Sequence, residues 1–228
     1  CIAGFGNANV LVERCVLNSS CSAFRLGGTN VYIKNCKAYA PGKYSFRGGL
    51  NKEERIAGVM ATKERARNNM LSFFTYYADY SVPIPNEPGN IVIEDCEICG
   101  ADRFLHYNFS GNETWQRYRP LRNIIFKNIH AVNIAMPISL YGTESNQVEL
   151  TMENIFIHMR EGSTTEELIR ACHYSRISLD HIQIDGFRGA CLVRSKGVGT
   201  VDFRNVDCSL PKEMYVVQTD EDFVINKI

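Results

Sequence analysis

The densest run of groups able to hold a polar ligand is residues 103–116, RFLHYNFSGNETWQ. Within it His106, Tyr107, Asn108 and Asn112 offer hydrogen-bond donors and acceptors, and Trp115, the only tryptophan, offers a flat apolar surface. Sugars need that mixture, because their C–H faces stack on aromatic rings while their hydroxyls want fixed partners. The plainer alternative is an ordinary loop anchored by Trp115. Three acids are close enough in sequence to act on such a ligand: Asp79, Asp102 and Glu113. Asp79 sits among aromatic residues, between Tyr77 and Tyr80, where burial would raise its pKa toward that of a useful acid. Its alternative role is a turn residue before Pro83. Asp79, Asp102 and Glu113 are the candidate catalytic residues for acid–base work on such a ligand.

Other motifs carry less. Cys96-Glu97-Ile98-Cys99 has C-x-x-C spacing, but no second pair exists to complete a zinc site. His173 and His181 lack ligand spacing, and Gly4-Phe5-Gly6 lacks the third glycine of a nucleotide loop. Residues 161–170 read as a loop or short capped helix without chemical content. No cofactor and no metal are expected.

Composition narrows the partners. Lys plus Arg and Asp plus Glu both number 25, giving a formal net charge of zero, whereas a nucleic-acid binder normally carries a basic excess. No apolar run reaches the ~18 to 20 residues of a membrane span. The nine cysteines are odd in number and lie mostly in apolar runs, which reads as buried free thiols and a reducing, cytoplasmic compartment. A secreted chain with its leader removed is the alternative.

The element that must position these residues repeats. Asn9-Val10-Leu11-Val12-Glu13-Arg14-Cys15 recurs as Asn30-Val31-Tyr32-Ile33-Lys34-Asn35-Cys36 and as Asn90-Ile91-Val92-Ile93-Glu94-Asp95-Cys96. It returns at Asn123-Ile124-Ile125-Phe126-Lys127-Asn128-Ile129, with weaker copies ending at Ile155, Ile182 and Val206. Apolar and polar residues alternate in each copy, the pattern of a strand with one buried face. A unit of roughly 21 to 27 residues must stack on its neighbours to bury anything. The expected fold is therefore all-β, a right-handed parallel β-helix forming a single domain over residues 1–228. Cys15, Cys36, Cys96, Ile129, Ile155, Ile182 and Val206 would form one interior row, and Asn35, Asp95, Asn128, Asn154 and Asn205 would mark bends. A β-sandwich is the alternative. The 60-residue gap between the second and third copies holds an insertion near residues 51–77, whose interleaved charged and apolar residues read as helical. Cys1 starts almost directly at a repeat, so the chain is expected to be the C-terminal part of a longer β-helix.

The run of N-x-x-I-x-N-C units, with Pro120 to Ile129 and then Met136-Pro137-Ile138, resembles family 28 glycoside hydrolases, the polygalacturonase group. The resemblance implies a parallel β-helix with an open groove that binds pectic or other uronic-acid polysaccharide. It places residues 103–116 over that groove and Arg25, Lys43, Arg47 and Arg103 along it, where arginine forks suit uronic-acid carboxylates. The family's catalytic motifs are not kept. Its Asp-Asp pair aligns with Ser19-Ser20, its Gly-His-Gly with Pro41-Gly42-Lys43, and its Arg-Ile-Lys with His106-Tyr107-Asn108. Its remaining aspartate would fall before Cys1. A serine hydroxyl can neither protonate a leaving group nor activate water without a base beside it. The implied function is a polygalacturonase-like hydrolase with relocated acids, or a non-catalytic β-helix that binds a glycan or supports an assembly.

Overall fold

The computed structural model describes residues 1–19, 21–40, 69–76, 89–107, 121–142 and 144–220, together with Glu53, Glu54 and Ala57. Its elements are strands β1 (Ile2–Glu13), β2 (Val16–Asn18), β3 (Ser22–Lys34), β4 (Lys37–Tyr39), β5 (Met70–Tyr76), β6 (Gly89–Tyr107) and β7 (Leu121–Met136). They continue as β8 (Ile138–Tyr141), β9 (Val148–Met159), β10 (Glu167–Cys172), β11 (Tyr174–Asp185), β12 (Cys191–Lys196), β13 (Thr200–Asp207) and β14 (Val216–Gln218). Helical conformation among the described residues is confined to Glu53 and Glu54 and to a 3-10 turn at Lys212–Met214. No helix among the described residues is long and apolar enough to cross a membrane.

Every strand pairing among the described residues is parallel. A ten-stranded sheet runs β1-β3-β5-β6-β7-β9-β11-β13, with β2 and β4 beside this path, and a four-stranded sheet runs β14-β12-β10-β8. From β7 onward the chain visits the two sheets alternately, which a parallel ladder requires because a strand cannot turn straight back to pair in parallel.

The repeat sets the register. Val10, Val31, Ile91, Ile124, Leu150, Ile177 and Val201 lie in one unbroken row across the larger sheet. Ile33, Ile93, Phe126, Met152, Leu179 and Phe203 form the next. A slip by one residue would turn both rows outward, so one face of Val, Ile and Leu specifies the pairing. Each fully buried aliphatic side chain contributes roughly 1.5–3 kcal/mol.

The bends fall where the polar residues predict. Asn35, Asp95, Asn128, Asn154, His181 and Asn205 all take φ between 52° and 56°, the left-handed region that asparagine and aspartate tolerate best. Their side chains bond one another along the stack, Asn128 Nδ2 to Asp95 Oδ1 at 2.9 Å and Asn154 Nδ2 to Asn128 Oδ1 at 2.8 Å. Just inside them Cys96, Ile129, Ile155, Ile182 and Val206 are in register, the expected interior row. Cys36 and Cys96 are buried, and burial pushes the Cys96 thiol up to about 12, which makes it inert.

Two expectations are corrected. Met70–Tyr76, read as the end of a helical insertion over residues 51–77, is strand β5 between β3 and β6. Phe73 and Phe74 are both fully buried, which imitates helical spacing, but a run of Phe, Phe, Thr and Tyr favours the extended chain. Of the remainder, Ala57 N–H donates to Glu53 O at 2.9 Å, a helix-type bond, and the other residues lie outside the described set. Residues 161–170, read as a loop without chemistry, end inside β10, and that strand carries Glu167 and Arg170.

Candidate functional site

The polar groups gather where β3, β5 and β6 run side by side and continue into β8, β10 and β12. Register places Ser22, Ser72 and Arg103 in one row and Arg25, Thr75 and His106 in another. Between those rows Phe24, Phe73 and Phe104 are fully buried and their rings pack in sequence, Phe24 to Phe73 at 5.5 Å and Phe73 to Phe104 at 6.0 Å. That aromatic layer supports the polar groups beside it. Ser22, Ser72 and Thr75 close a buried triangle of hydroxyls, with oxygen separations of 2.8, 2.8 and 2.6 Å.

Arg103 Nη1 lies 2.8 Å from His106 Nδ1. A guanidinium can only donate, so Nδ1 accepts and the imidazole carries its proton on Nε2. Burial, then the charges of Arg103 and Arg25, hold the His106 pKa down to about 3. The ring is a neutral donor at ordinary pH, unsuited to serve as a general acid.

A second cluster follows along the stack. Ser139, Arg170 and Arg194 share a row across β8, β10 and β12, and Tyr141, Cys172 and Lys196 share the next but one. Glu167 is only 2% exposed, and its carboxylate accepts from Arg170 Nε at 2.6 Å and from Arg194 Nε at 3.0 Å. A buried carboxylate is tolerable when its oxygens are so satisfied. Tyr141 joins the clusters: burial raises its pKa, while the nearby Arg170 and Arg103 pull it back, Arg170 also through a hydrogen bond. Among the described residues of this face, Arg25, Arg103, Arg170 and Arg194 outnumber the carboxylates of Glu167 and the neighbouring Glu166, and the histidine is neutral, so cations predominate. The side chains of Arg170 and Arg194 remain 20% and 30% exposed, enough to meet a ligand.

The sequence-derived candidates separate into three groups. Arg25, Arg103 and His106 come together as described. The backbone of Tyr107 ends β6 in register with Tyr76, while its side chain is outside the described set. Lys43, Arg47, Asp79, Asn108, Asn112, Glu113 and Trp115 also lie outside the described residues. Asp102 is buried and its Oδ1 accepts from Arg160 Nη1 at 2.7 Å. The same guanidinium reaches Asn133 Oδ1 and the carbonyls of Ala101 and Asn133, a clamp across neighbouring bends. In that clamp the Asp102 carboxylate neutralises an arginine and ties strands together.

Sequence reasoning missed Tyr141, Glu167, Arg170 and Arg194. One signal was present: Arg170 and Arg194 each fall 12 residues before the interior residue of their repeat, Ile182 and Val206. Aligning the weaker copies on that residue places both arginines in one row. Glu167 has no such signal, because its burial depends on the two arginines folding over it. Among the described residues, no group of three or more His, Cys, Asp or Glu side chains could hold a metal ion. No family model matches the chain, and neither a curated protein nor a solved structure does.

Proposed function

We propose that the strands wind as a right-handed parallel β-helix whose arginine–histidine face binds an acidic, uronic-acid-containing glycan without cleaving it. The observation that carries this reading is the gathering of Arg25 and Arg103 on neighbouring strands with Arg170 and Arg194, which share a row and hold the buried Glu167. Guanidinium forks match carboxylates in geometry and charge, and the neutral His106 Nε2–H and the Tyr141 hydroxyl suit sugar oxygens. The alternation between sheets and the resemblance to polygalacturonases support the β-helix and the choice of a uronic acid. The free state of all nine cysteines agrees with a reducing compartment. The test is affinity electrophoresis through gels containing polygalacturonate. Retardation that weakens in Arg170→Ala and Arg194→Ala supports the reading, and unretarded wild-type protein would refute it.

A second reading, a polygalacturonase-like glycoside hydrolase, is favoured by the burial of Arg103, Tyr141 and Glu167 in one cluster. Buried, mutually perturbing ionisable groups concentrate at catalytic sites. Asp79 and Glu113 are its acids. Release of reducing ends from oligogalacturonides, lost in Asp79→Asn or Glu113→Gln, would establish cleavage, whereas binding without release would leave the first reading standing.

A further inference from the structure

A second concavity lies on another side of the stack, along the bends, with a volume of about 510 Å³. One wall is the row of bend residues Asn128, Asn154, His181 and Asn205, and the other is the outward row His130, Phe156, Gln183 and Asp207. The floor is the chain at Ile129, Ile155 and Ile182. The groove therefore crosses four neighbouring strands of the larger sheet and presents a polar bend side chain at each, spaced by the ~4.8 Å between neighbouring strands.

Its chemistry differs from that of the arginine face. The lining includes no lysine or arginine and one carboxylate, Asp207, so an anionic ligand finds no countercharge there. Asn128 and Asn154 each give one amide N–H to the bend side chain of the preceding unit, and Asn205 gives one to the His181 ring, which leaves each carboxamide a second N–H to donate. The opposite wall carries an apolar patch, where the His130 and Phe156 rings stack at 4.8 Å with planes 11° apart. Donors and acceptors recurring along one wall and a stacked ring pair on the other fit a chain of hydroxyl-bearing rings lying lengthwise, each sugar taking about one strand step. We propose that this groove binds a neutral glycan segment, independently of the acidic-glycan face.

The experiment uses the full chain in affinity gels and calorimetry with soluble β-1,4-galactan, arabinan and xyloglucan, and with polygalacturonate as the acidic probe. At least one neutral glycan should bind the wild-type protein. Gln183→Trp, which fills an exposed position of the groove, and Phe156→Ala should each weaken that binding ten-fold or more. Arg194→Ala should leave it unchanged. Thermal unfolding of both groove variants, compared with wild type, separates lost binding from lost fold. The proposal is overturned if no neutral glycan in the panel binds, if folded Gln183→Trp binds as wild type does, or if Arg194→Ala abolishes neutral binding as well. Failure on polygalacturonate alone would overturn only the acidic-glycan reading.

Discussion

The bend ladder and the arginine face share strands β3 and β6, then part between the larger and the smaller sheet, and they obey opposite rules. Along the ladder one kind of side chain recurs: Asn35, Asp95, Asn128, Asn154 and Asn205 sit at one backbone conformation, and Asp95, Asn128 and Asn154 bond one another. Its groups are mostly exposed, and each is needed for the shape of the chain. Across the arginine face, identity changes from strand to strand, from Thr75 to His106 and from Ser139 to Arg170. Its key groups are buried, and their partners lie on other strands. Repetition marks the positions that fold the molecule, and departures from repetition mark the positions free to carry chemistry.

The strongest test of this contrast is Glu167→Ala. Removing the carboxylate takes from Arg170 and Arg194 the buried partner they share, and breaking such a pair costs about 3 kcal/mol, the low end of the range because both arginines are partly exposed. Urea unfolding measures it. Next is His106, whose pKa lies at about 3 in the fold against ~6.5 unfolded. Since the folded value is the lower one, the unfolded chain binds the proton first as pH falls through ~6.5. Stability is therefore intact above ~6.5 and declines as pH falls from there toward about 3. His106→Gln, which can still accept from Arg103, should flatten that decline in melts taken at successive pH values.

Arg170→Ala and Arg194→Ala should each weaken acidic-glycan binding about ten-fold, ~1.4 kcal/mol, with a loss that shrinks as salt is raised. Calorimetry at two ionic strengths reads this directly. The smallest effect belongs to the ladder: Asn154→Ala should cost about 1 kcal/mol, because alanine at φ 56° is strained, while acidic-glycan affinity stays unchanged. If Asn154→Ala weakened acidic-glycan binding as much as Arg170→Ala does, the two regions would not be separate in function.

Much of the fold was legible because it is written several times. The alternation ending at Cys96, Ile129, Ile155 and Ile182 fixes strand, inward face and register together, and the polar residue before each marks the bend. Met70–Tyr76 misled because Phe73 and Phe74 are both buried, which a strict two-residue period does not allow. The site was legible only in its first half. Arg103 and His106 stood out in a polar-aromatic run, whereas Glu167, Arg170 and Arg194 lie in a weaker repeat and acquire their role from contacts across strands. Asp102 showed the reverse problem: an acid beside promising residues is engaged by Arg160, whose position 58 residues later gave no hint of the pairing.

The alternating visits to two sheets also make length a separable variable. Each strand from β7 onward pairs only with its counterparts one visit before and after, so a whole unit could be excised and the remaining ladders rejoined. Deleting the unit that holds β10 and β11 would bring β12 against β8 and β13 against β9. Arg194 would then stand beside Ser139 with Arg170 and Glu167 gone. The reach of the cationic face would thus be set by the number of units, as the length of a ruler is set by its divisions.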